Sequence, residues 1–437
     1  PSRYSARERL PRDTIQPITI VAGEIQPSSK TLKRPSLGQG YDLIVNLVGR
    51  KDHELWMAAA LTSQAVQQRH VCLDLNSTAN RKIDLNAEGS KTLQCPLLED
   101  WVSSLRNSEA VGSPGEYRPL IMDSANRVYL YRYWQYEKQV ADFVISRISC
   151  PTDKVNREKL RQGIHRLFTK KNNRGTDWQV IAGLSAMKHR FIMITGGPGT
   201  GKTSTVVKLL VLLLEHCKDF RVAVAAPTGK AAARLQESIR SIKNQIDCSS
   251  TIRDILPTEA TTIHRLLGAS KETTRYLFNK DHLLPYDVVV VDEASMIDLP
   301  LMAKLVEALS KQTRLILLGD VDQLSSVMSG TVLGQLCDKT AGAFFSKEFV
   351  NQAREVLGVT TELKTIGTPN VTLPDLVVTL NQSYRFKEGS GIDKFSKEVN
   401  QGNAQPALGI LLDTQLPDIT WKEVPNKKML KDYSKLM

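Results

Sequence analysis

One glycine-rich stretch, FIMITGGPGTGKTST at residues 191–205, restricts the fold of this chain more than any other part of its sequence. From Gly196 to Thr203 it satisfies G-x-x-x-x-G-K-[ST], and it lies between an apolar run typical of a strand and a helical run. Glycines let the backbone turn so that successive N–H groups point at a phosphate, and the positive end of the following helix adds to the attraction. The sequence therefore predicts a phosphate-binding loop between a strand and a helix.

Apolar runs recur after Thr176 and alternate with helical patterns. The candidate strands are FIMIT (191–195), RVAVAA (221–226), DVVVVD (287–292) and RLILLGD (314–320). Continuous apolar runs, as opposed to alternating ones, are expected for parallel strands that helices cover on both faces. The predicted fold class is therefore α/β, a P-loop NTPase with a doubly wound parallel sheet, preceded by a smaller mixed N-terminal domain.

Two adjacent acids, Asp292 and Glu293, follow four consecutive valines. A carboxylate at the end of a buried parallel strand lies where ligands bind in open α/β sheets. We expect Asp292 and the hydroxyl of Thr203 to hold Mg²⁺, Glu293 to polarise the attacking water, and Lys202 to reach the β- and γ-phosphates. Two acids at a helix start would also suit an N-terminal cap. The residues predicted to bind the nucleotide in the loop are Gly196, Gly197, Pro198, Gly199, Thr200, Gly201, Lys202, Thr203 and Ser204.

Composition adds a weaker constraint on partners and compartment. The net charge is +12, from 58 Lys and Arg against 46 Asp and Glu, and such a surplus favours polyanionic partners because bound cations displace counterions from nucleic-acid phosphates. Six cysteines lack CxxC or CxxH spacing, which favours reduced thiols in the cytoplasm over structural zinc. No run approaches the ~20 apolar residues of a membrane-spanning helix, so no membrane partner is expected.

Five further motifs occur in order after the loop. They are AAPTGKAAARL (225–235), TTIHRLLG (261–268), VVVDEASMIDLPLM (289–302), LLGDVDQLSSVMSGTVLG (317–334) and NQSYRF (381–386). Together they resemble the helicase motifs of the RecD family, the alpha subunit of exodeoxyribonuclease V, and the resemblance covers about residues 50–402. It implies a RecA-like, superfamily 1 motor that uses ATP and Mg²⁺ to move 5′ to 3′ along single-stranded DNA, starting from duplex ends, in double-strand break repair and recombination.

The resemblance also implies roles for single residues. Gln179, upstream of the loop, matches a residue that reads the adenine edge. Gln323 in GDVDQL matches a γ-phosphate sensor, and Arg385 in QSYRF matches an arginine that reaches the γ-phosphate from a second motor domain. The residues that match strand-contacting motifs are Pro227, Thr228, Gly229, Lys230, Thr262 and His264.

Several of these residues also have an ordinary structural explanation. Thr228 and Lys230 would serve equally to cap the GKAAARL helix. His264 would suit a buried, hydrogen-bonded helix position, and Gln179 would suit the surface of a helix. The sequence alone leaves these alternatives open.

The N-terminal region carries a second part of the resemblance. VYLYRYWQYEKQVADF resembles the RecD segment ahead of the motor, which implies docking on the beta and gamma subunits of a RecBCD-type complex. An ordinary local core would explain the same aromatic residues. These residues are Tyr129, Tyr131, Tyr133, Trp134 and Tyr136.

The sequence departs from the family after NQSYRF, where a Thr-Val-His-Lys-Ser-Gln-Gly type segment and a Thr-Arg-Ala-Arg segment do not occur. We therefore expect a partner-docking domain over residues 1–150 with a flexible stretch over 1–40, a motor domain over 151–375, and an incomplete start of a second motor domain over 376–437. We expect such a chain alone to bind Mg·ATP, to hydrolyse it slowly and not to unwind DNA. A free-standing RecD-like helicase and an ATP-binding regulatory or scaffold subunit remain alternatives.

Overall fold

The computed structural model describes most of the chain between residues 52 and 419, in two compact units. The described residues are 52–84, 92–148, 155–168, 177–270, 275–321, 323, 330, 332–338, 344–357, 363, 374–382, 384, 389–413 and 415–419. The first unit ends at Trp134 and the second begins at Gln135. This division precedes residue 150, because the helix Tyr131–Ile148 continues into the second unit, where the Arg147 guanidinium donates to the carbonyl oxygen of Ser310 at 2.6 Å.

The first unit combines helices with a mixed sheet and a separate strand pair. Its helices are α1 His53–Gln67, α2 Leu75–Thr78 and α3 Leu98–Arg106. Its strands are β1 Cys72–Asp74, β2 Lys82–Asp84, β3 Thr92–Gln94, β4 Val111–Gly112, β5 Leu120–Met122 and β6 Arg127–Leu130. The sheet has the order β1-β6-β5-β4, with β4–β5 parallel and the other pairs antiparallel, and β2 pairs with β3 alone. The predicted mixed N-terminal domain is confirmed.

Buried apolar side chains from α1, α3 and the sheet form the core of this unit. Trp101 is fully buried, and its indole N–H donates to the carbonyl oxygen of Glu54 at 3.0 Å. The Asp52 carboxylate caps α1 by accepting from the backbone N–H groups of Glu54 and Leu55 at 3.0 and 3.2 Å. Helix α1 therefore begins at a satisfied N-terminus.

Six parallel strands form the sheet of the second unit. They are β7 Phe191–Thr195, β8 Val222–Ala226, β9 Thr261–Thr262, β10 Val288–Val291, β11 Arg314–Gly319 and β12 Val377–Thr379. Their order across the sheet is β12-β7-β11-β10-β8-β9. Strands β7, β10 and β11 are buried at every position, as expected for strands covered on both faces. The predicted doubly wound parallel sheet is confirmed.

Helices flank this sheet, and several of them form a buried apolar core with alternate residues of its strands. The helices of the second unit, with α4 entering from the first, are α4 Tyr131–Ile148, α5 Arg157–Phe168, α6 Trp178–Lys188, α7 Lys202–His216, α8 Gly229–Gln245, α9 Ser250–Ile255, α10 Ile263–Leu266, α11 Leu299–Glu307, α12 Val332–Asp338, α13 Lys347–Leu357, α14 Gly391–Asn400 and α15 Ala404–Leu412. None of the helices in the described part of the chain is long and apolar enough to cross a membrane.

The strand order decides which residues meet at the carboxyl edge of the sheet. Strand β11 lies between β7 and β10, so the chain leaves three neighbouring strands at Gly196, Asp320 and Asp292. Strand β12 pairs with β7 on the other side, because Leu380 donates its N–H to the carbonyl oxygen of Thr195 at 2.8 Å. The first residues of the 376–437 stretch thus belong to this sheet, and the division of the chain into functional domains stays a prediction.

Candidate nucleotide site and nucleic-acid interface

The phosphate-binding loop joins β7 to α7 and depends on glycine at two positions. Gly199 and Gly201 have φ values of 79° and 82°, in the left-handed region where side chains other than glycine are strained. A Cβ atom on Gly201 would also lie 2.6 Å from Nε2 of Gln179. The glycine pattern is therefore required by the backbone and by a close neighbour at the same point.

Lys202, the first residue of α7, folds back over this loop. Its ammonium group donates to the carbonyl oxygens of Gly196 and Gly197 at 2.5 and 3.1 Å. The hydroxyl of Thr200 donates to the Gly197 carbonyl oxygen at 2.9 Å and tightens the same turn. The ammonium is thus held at the mouth of the loop, where phosphate oxygens would compete for it.

The acid pair leaves β10 two strands away from the loop. Burial raises the pKa of Asp292 to about 6, although the backbone N–H of Glu293 donates to its carboxylate at 2.9 Å and the Lys202 ammonium favours its charged form. Glu293 has φ 53° and ψ 39°, a left-handed conformation that costs free energy in a residue other than glycine. The alternative of an N-terminal helix cap does not describe Glu293, because its side chain makes no capping hydrogen bond.

Gln323 follows β11, the strand between the loop and the acid pair. Its amide donates to the carboxylate of Asp320 at 3.2 Å, and Asp320 is only 3% exposed. Gly319 pairs with Thr195 in register, so Asp320 leaves the sheet beside the phosphate-binding loop. A Cβ atom on Gly319 would lie 3.2 Å from the backbone nitrogen of Ser295, so this strand end also packs against the acid turn. Arg385 lies outside the described residues.

Gln179 lies over the loop from the first turn of α6. Its amide donates to the carbonyl oxygen of Thr200 at 3.3 Å and accepts from the Lys208 ammonium at 3.3 Å. Neither contact is expected for a residue on the open surface of a helix. The alternative that Gln179 is an ordinary surface residue therefore does not describe its surroundings.

Tyr384 lies beside the loop and is a candidate that the sequence did not single out. Its backbone N–H donates to the carbonyl oxygen of Gly199 at 2.8 Å, and its ring carbon Cδ2 would lie 3.8 Å from a Cβ atom on Gly201. The residue is 50% exposed. Its position inside NQSYRF was the available signal, but only the pairing of β12 with β7 brings that motif to the loop.

The candidate strand-contacting residues lie at the far end of the same sheet edge. Strands β8 and β9 pair in parallel, with Ala226 opposite Thr262, so both chains leave the sheet together. Thr228 and Thr262 cap α8 and α10 by accepting from the backbone N–H groups three residues on, each at 3.2 Å. Pro227 is half-buried. The exposed residues at this end are Thr228, Gly229, Lys230, His264 and Arg265.

Two alternatives can be judged from this geometry. Thr228 does cap its helix, as the plain alternative requires, while its side chain remains exposed. His264 is exposed and not buried, and its ring lies 6.2 Å from that of Tyr276.

The five aromatic residues of the N-terminal region divide between interior and surface. Tyr129 and Tyr136 are buried, at 2% and 7% exposure, whereas Tyr131, Tyr133 and Trp134 are half-buried.

Two family models match the chain. The model described as RecBCD enzyme subunit RecD, N-terminal domain, matches residues 40–129, and an AAA domain model matches residues 179–329. RecD of Haemophilus influenzae is 35% identical over 374 residues, covering 80% of this chain and 57% of that protein. RecD of Mycolicibacterium smegmatis is 39% identical over 299 residues, covering 67% and 50%.

A RecD2 helicase matches a shorter stretch. The ATP-dependent RecD2 DNA helicase of Deinococcus radiodurans is 33% identical over 216 residues, covering 47% of this chain and 26% of that protein. The chain spans about half the length of the RecBCD subunits it matches, at 57% and 50%.

Proposed function

This chain belongs to the RecD family, and from that premise we propose that it is the ATP-hydrolysing 5′–3′ helicase subunit of a RecBCD-type exodeoxyribonuclease V. It would translocate on single-stranded DNA from duplex ends in double-strand break repair and recombination. One observation carries the proposal: a phosphate-binding loop, an acid pair and an exposed Thr- and Lys-bearing turn share one edge of one sheet. A motor needs nucleotide cleavage and DNA binding on one rigid element, so that cleavage can alter the grip on DNA.

ATP is the proposed nucleotide, and Mg²⁺ fits the donor set. The loop from Gly196 to Ser204 would cradle the phosphates, and Lys202 would exchange its two carbonyl partners for phosphate oxygens. The hydroxyl of Thr203 and the carboxylate of Asp292 are the hard oxygen ligands that Mg²⁺ prefers, together with phosphates and water. Bound there, the ion would neutralise charge that develops on the phosphates.

The acid turn would catalyse ATP hydrolysis, and the residues after β11 would sense the γ-phosphate. Glu293 would take a proton from the attacking water, since the left-handed backbone turns the residue off the line of β10. Gln323 would sense the γ-phosphate by donating to it with the amide that here donates to the Asp320 carboxylate. Arg385 keeps its proposed role as an arginine finger, which the described residues do not address.

Gln179 and Tyr384 would define the base end of the nucleotide. We propose that Gln179 reads the adenine edge, because its amide already lies against the Thr200–Gly201 backbone. The half-exposed ring of Tyr384 lies beside the same loop residues and offers an aromatic face to a base.

Single-stranded DNA would run across the ends of β8 and β9. Contacts from exposed Thr, Lys and His side chains and from backbone N–H groups to phosphates carry no sequence information, as a translocating motor requires. The proposed contacts are Pro227, Thr228, Gly229, Lys230, Thr262 and His264.

The N-terminal unit would dock on the beta and gamma subunits. Its half-buried aromatic residues support this role because they form a cluster. The ring centroid of Tyr131 lies 4.8 Å from that of Tyr117, in an edge-on contact, and 6.5 Å from that of Trp134. Tyr117 is 68% exposed, and amphipathic aromatic groups are enriched at protein interfaces.

The likeness to a RecD2 helicase over 216 residues favours a free-standing helicase as the second candidate.

The decisive experiment combines Lys202→Gln with reconstitution. The chain is assembled with beta- and gamma-type subunits, and DNA-stimulated ATP hydrolysis and complex mass are measured. We expect the variant to assemble normally and to lose the part of the hydrolysis that this chain contributes. Lys218→Gln, an exposed lysine beyond α7, is the matched control.

Three other outcomes would count against the proposal. A variant that hydrolyses ATP normally would refute the motor role, and one that fails only in assembly would favour a scaffold subunit. Failure of the wild-type chain to join the other subunits, with DNA-stimulated hydrolysis intact, would favour the free-standing helicase.

A further inference from the structure

Three helices meet beside the phosphate-binding loop and bring a charged side chain against Gln179. Phe168 ends α5, Gln179 lies in the first turn of α6, and Lys208 lies on α7. The Lys208 ammonium donates to the amide oxygen Oε1 of Gln179 at 3.3 Å. The ammonium also lies 4.9 Å from the centroid of the Phe168 ring, within the range of a cation–π contact. Contacts to two other helices therefore fix where this charge lies.

The Phe168 ring is held in place by the helix that carries Gln179. The ring is buried, at 3% exposure, and a Cβ atom on Gly183 would lie 3.5 Å from its Cζ atom. Gly183 follows Gln179 by four residues, so the two positions share one face of α6. The half-buried Lys208 side chain thus rests on a buried ring that packs directly beside Gln179.

Both neighbours of the Gln179 amide have a fixed hydrogen-bonding polarity. An ammonium group can only donate, and the carbonyl oxygen of Thr200, which accepts from the Gln179 amide nitrogen Nε2 at 3.3 Å, can only accept. Rotation of the amide by half a turn would place its NH₂ group against the ammonium and its oxygen against the carbonyl oxygen. Both contacts would be repulsive, so Lys208 and Thr200 select one orientation of this amide.

The selected orientation suits one purine better than the other. An amide oxygen has two lone pairs and an amide nitrogen has two hydrogens, and the contacts to Lys208 and Thr200 use one of each. The second lone pair and the second hydrogen lie side by side as an acceptor and a donor. Adenine presents the complementary pair, the N6 amino donor beside the N7 acceptor, whereas guanine presents two acceptors, O6 and N7, on the same edge.

We propose that Lys208 is a positioning residue that fixes the amide orientation of Gln179 and so sets the preference for adenine over guanine nucleotides. This inference rests on the proposed role of Gln179 in reading adenine, and it adds a residue that acts through Gln179 and not by contact with the base. Without the ammonium, the amide can turn over, and part of the population then presents the wrong polarity to adenine. Guanine gains from neither orientation, because each one opposes an acceptor to an acceptor.

The test measures the affinities of the purified chain for Mg·ATP and Mg·GTP by competition against a fluorescent ATP analogue. The quantity compared is the ratio of the two affinities, in which a general loss of attraction for phosphate cancels. Lys208→Gln keeps a hydrogen-bonding side chain that can both donate and accept, and we expect it to lower the ratio about three- to tenfold, mainly through weaker ATP binding. Lys208→Arg can only donate and should keep the ratio within about twofold of the wild type.

Lys304→Gln is the matched control. Lys304 lies on α11 and, like Lys208, is half-buried between a hydrogen-bond partner and an aromatic ring. Its ammonium donates to the Glu307 carboxylate at 2.8 Å and lies 6.0 Å from the centroid of the Tyr136 ring. The control should leave the ratio unchanged. A ratio that fell equally in Lys208→Arg and Lys208→Gln would overturn the inference, because it would show a packing role for this side chain.

Coupling to Gln179 separates this inference from the proposed function. Gln179→Ala should lower the ratio, and the double variant with Lys208→Gln should lower it no further. Independent, multiplicative losses would overturn the inference alone, as would an unchanged ratio in Lys208→Gln beside a lowered ratio in Gln179→Ala. Equal affinities of the wild type for ATP and GTP, or an unchanged ratio in Gln179→Ala, would overturn the adenine-reading role of Gln179 together with this inference.

Discussion

The two ends of the carboxyl edge of the second sheet are built in opposite ways. At the β7–β11–β10 end the two aspartates are withdrawn from solvent, as Asp320 at 3% exposure and the raised pKa of Asp292 indicate, although Gln323 beside them is exposed. At the β8–β9 end Thr228, Lys230 and His264 are exposed, and the hydroxyl of the exposed Thr228 also caps α8. One edge of the sheet therefore presents buried carboxylates at one end and exposed polar side chains at the other.

The difference is consistent with what each end would hold under the proposed function. Transition-state charge is stabilised best by groups fixed in a low-dielectric site before the reaction begins. A strand that must slide needs contacts that form and break readily, and exposed hydrogen bonds to phosphates meet that need because water competes for them. Variants at the buried end should therefore alter rate and stability strongly, and variants at the exposed end should alter affinity mildly.

The largest effect is expected for Glu293→Gln. Loss of the general base should reduce ATP hydrolysis by about 10²–10³-fold, while ATP binding and oligonucleotide binding persist because the side chain keeps its size and polarity. Single-turnover hydrolysis in the assembled complex, compared with equilibrium ATP binding, measures the two separately. Glu237→Gln on the exposed face of α8 is the control, and equal losses of binding and hydrolysis in Glu293→Gln would contradict the assignment.

Asp292→Asn should raise stability while it impairs hydrolysis. The pKa of Asp292 is raised from 3.8 to about 6, so the folded chain holds the proton more tightly than the unfolded chain between these values. The tighter binding of this proton by the folded chain stabilises the fold fully below pH 3.8, and this stabilisation is lost as pH rises through about 6. The free energy of unfolding lost by neutral pH is roughly 3 kcal/mol or less.

The measurement is the free energy of unfolding against pH, without nucleotide or Mg²⁺. We expect the wild type to lose stability between pH 4 and 6, and Asp292→Asn to lack this component and to be more stable at pH 7. Asp287→Asn, at the other end of β10, is a control for removal of a carboxylate near the same strand. Parallel pH profiles for wild type and Asp292→Asn would show that burial of this carboxylate carries no such cost.

Gly201→Ala tests the close approach of Gln179 to the loop. The added Cβ atom would meet Nε2 of Gln179 at 2.6 Å in a backbone with φ 82°, and we expect ATP affinity to fall about tenfold, close to the effect of losing one strong polar contact. Gly402→Ala provides the control, because Gly402 has φ 75° and no atom within 4 Å of an added Cβ atom. It should show only the backbone strain, about 1–2 kcal/mol.

The sequence predicted the parts of this edge that depend on local pattern. Continuous apolar runs located β7, β10 and β11, since a strand buried on both faces leaves a mark in its own residues. It did not predict that β11 separates β7 from β10, or that β12 pairs with β7, because those pairings join residues far apart in the chain. Tyr384 was missed for this reason.

Other properties of the site lie beyond any residue pattern. The left-handed backbone of Glu293 and the raised pKa of Asp292 arise from packing around the acid turn, and four valines followed by two acids do not specify either. The exposure of His264 likewise depends on where α10 lies at the edge of the sheet. Local sequence thus indicates which residues are candidates, and tertiary structure determines the backbone conformation, pKa and exposure of each one.

The smallest effects are expected at the exposed end, where capping and DNA contact share one side chain. Thr228→Ala should cost about 1 kcal/mol of stability through the lost cap and weaken oligonucleotide binding about two- to threefold. Thr228→Ser keeps the hydroxyl and should restore both. Lys230→Gln, next along the turn, should leave stability unchanged and lower the slope of binding against salt concentration by about one phosphate contact. Thermal unfolding and anisotropy at several salt concentrations measure these quantities, and a Lys230→Gln variant with an unchanged salt slope would remove this turn from the DNA path.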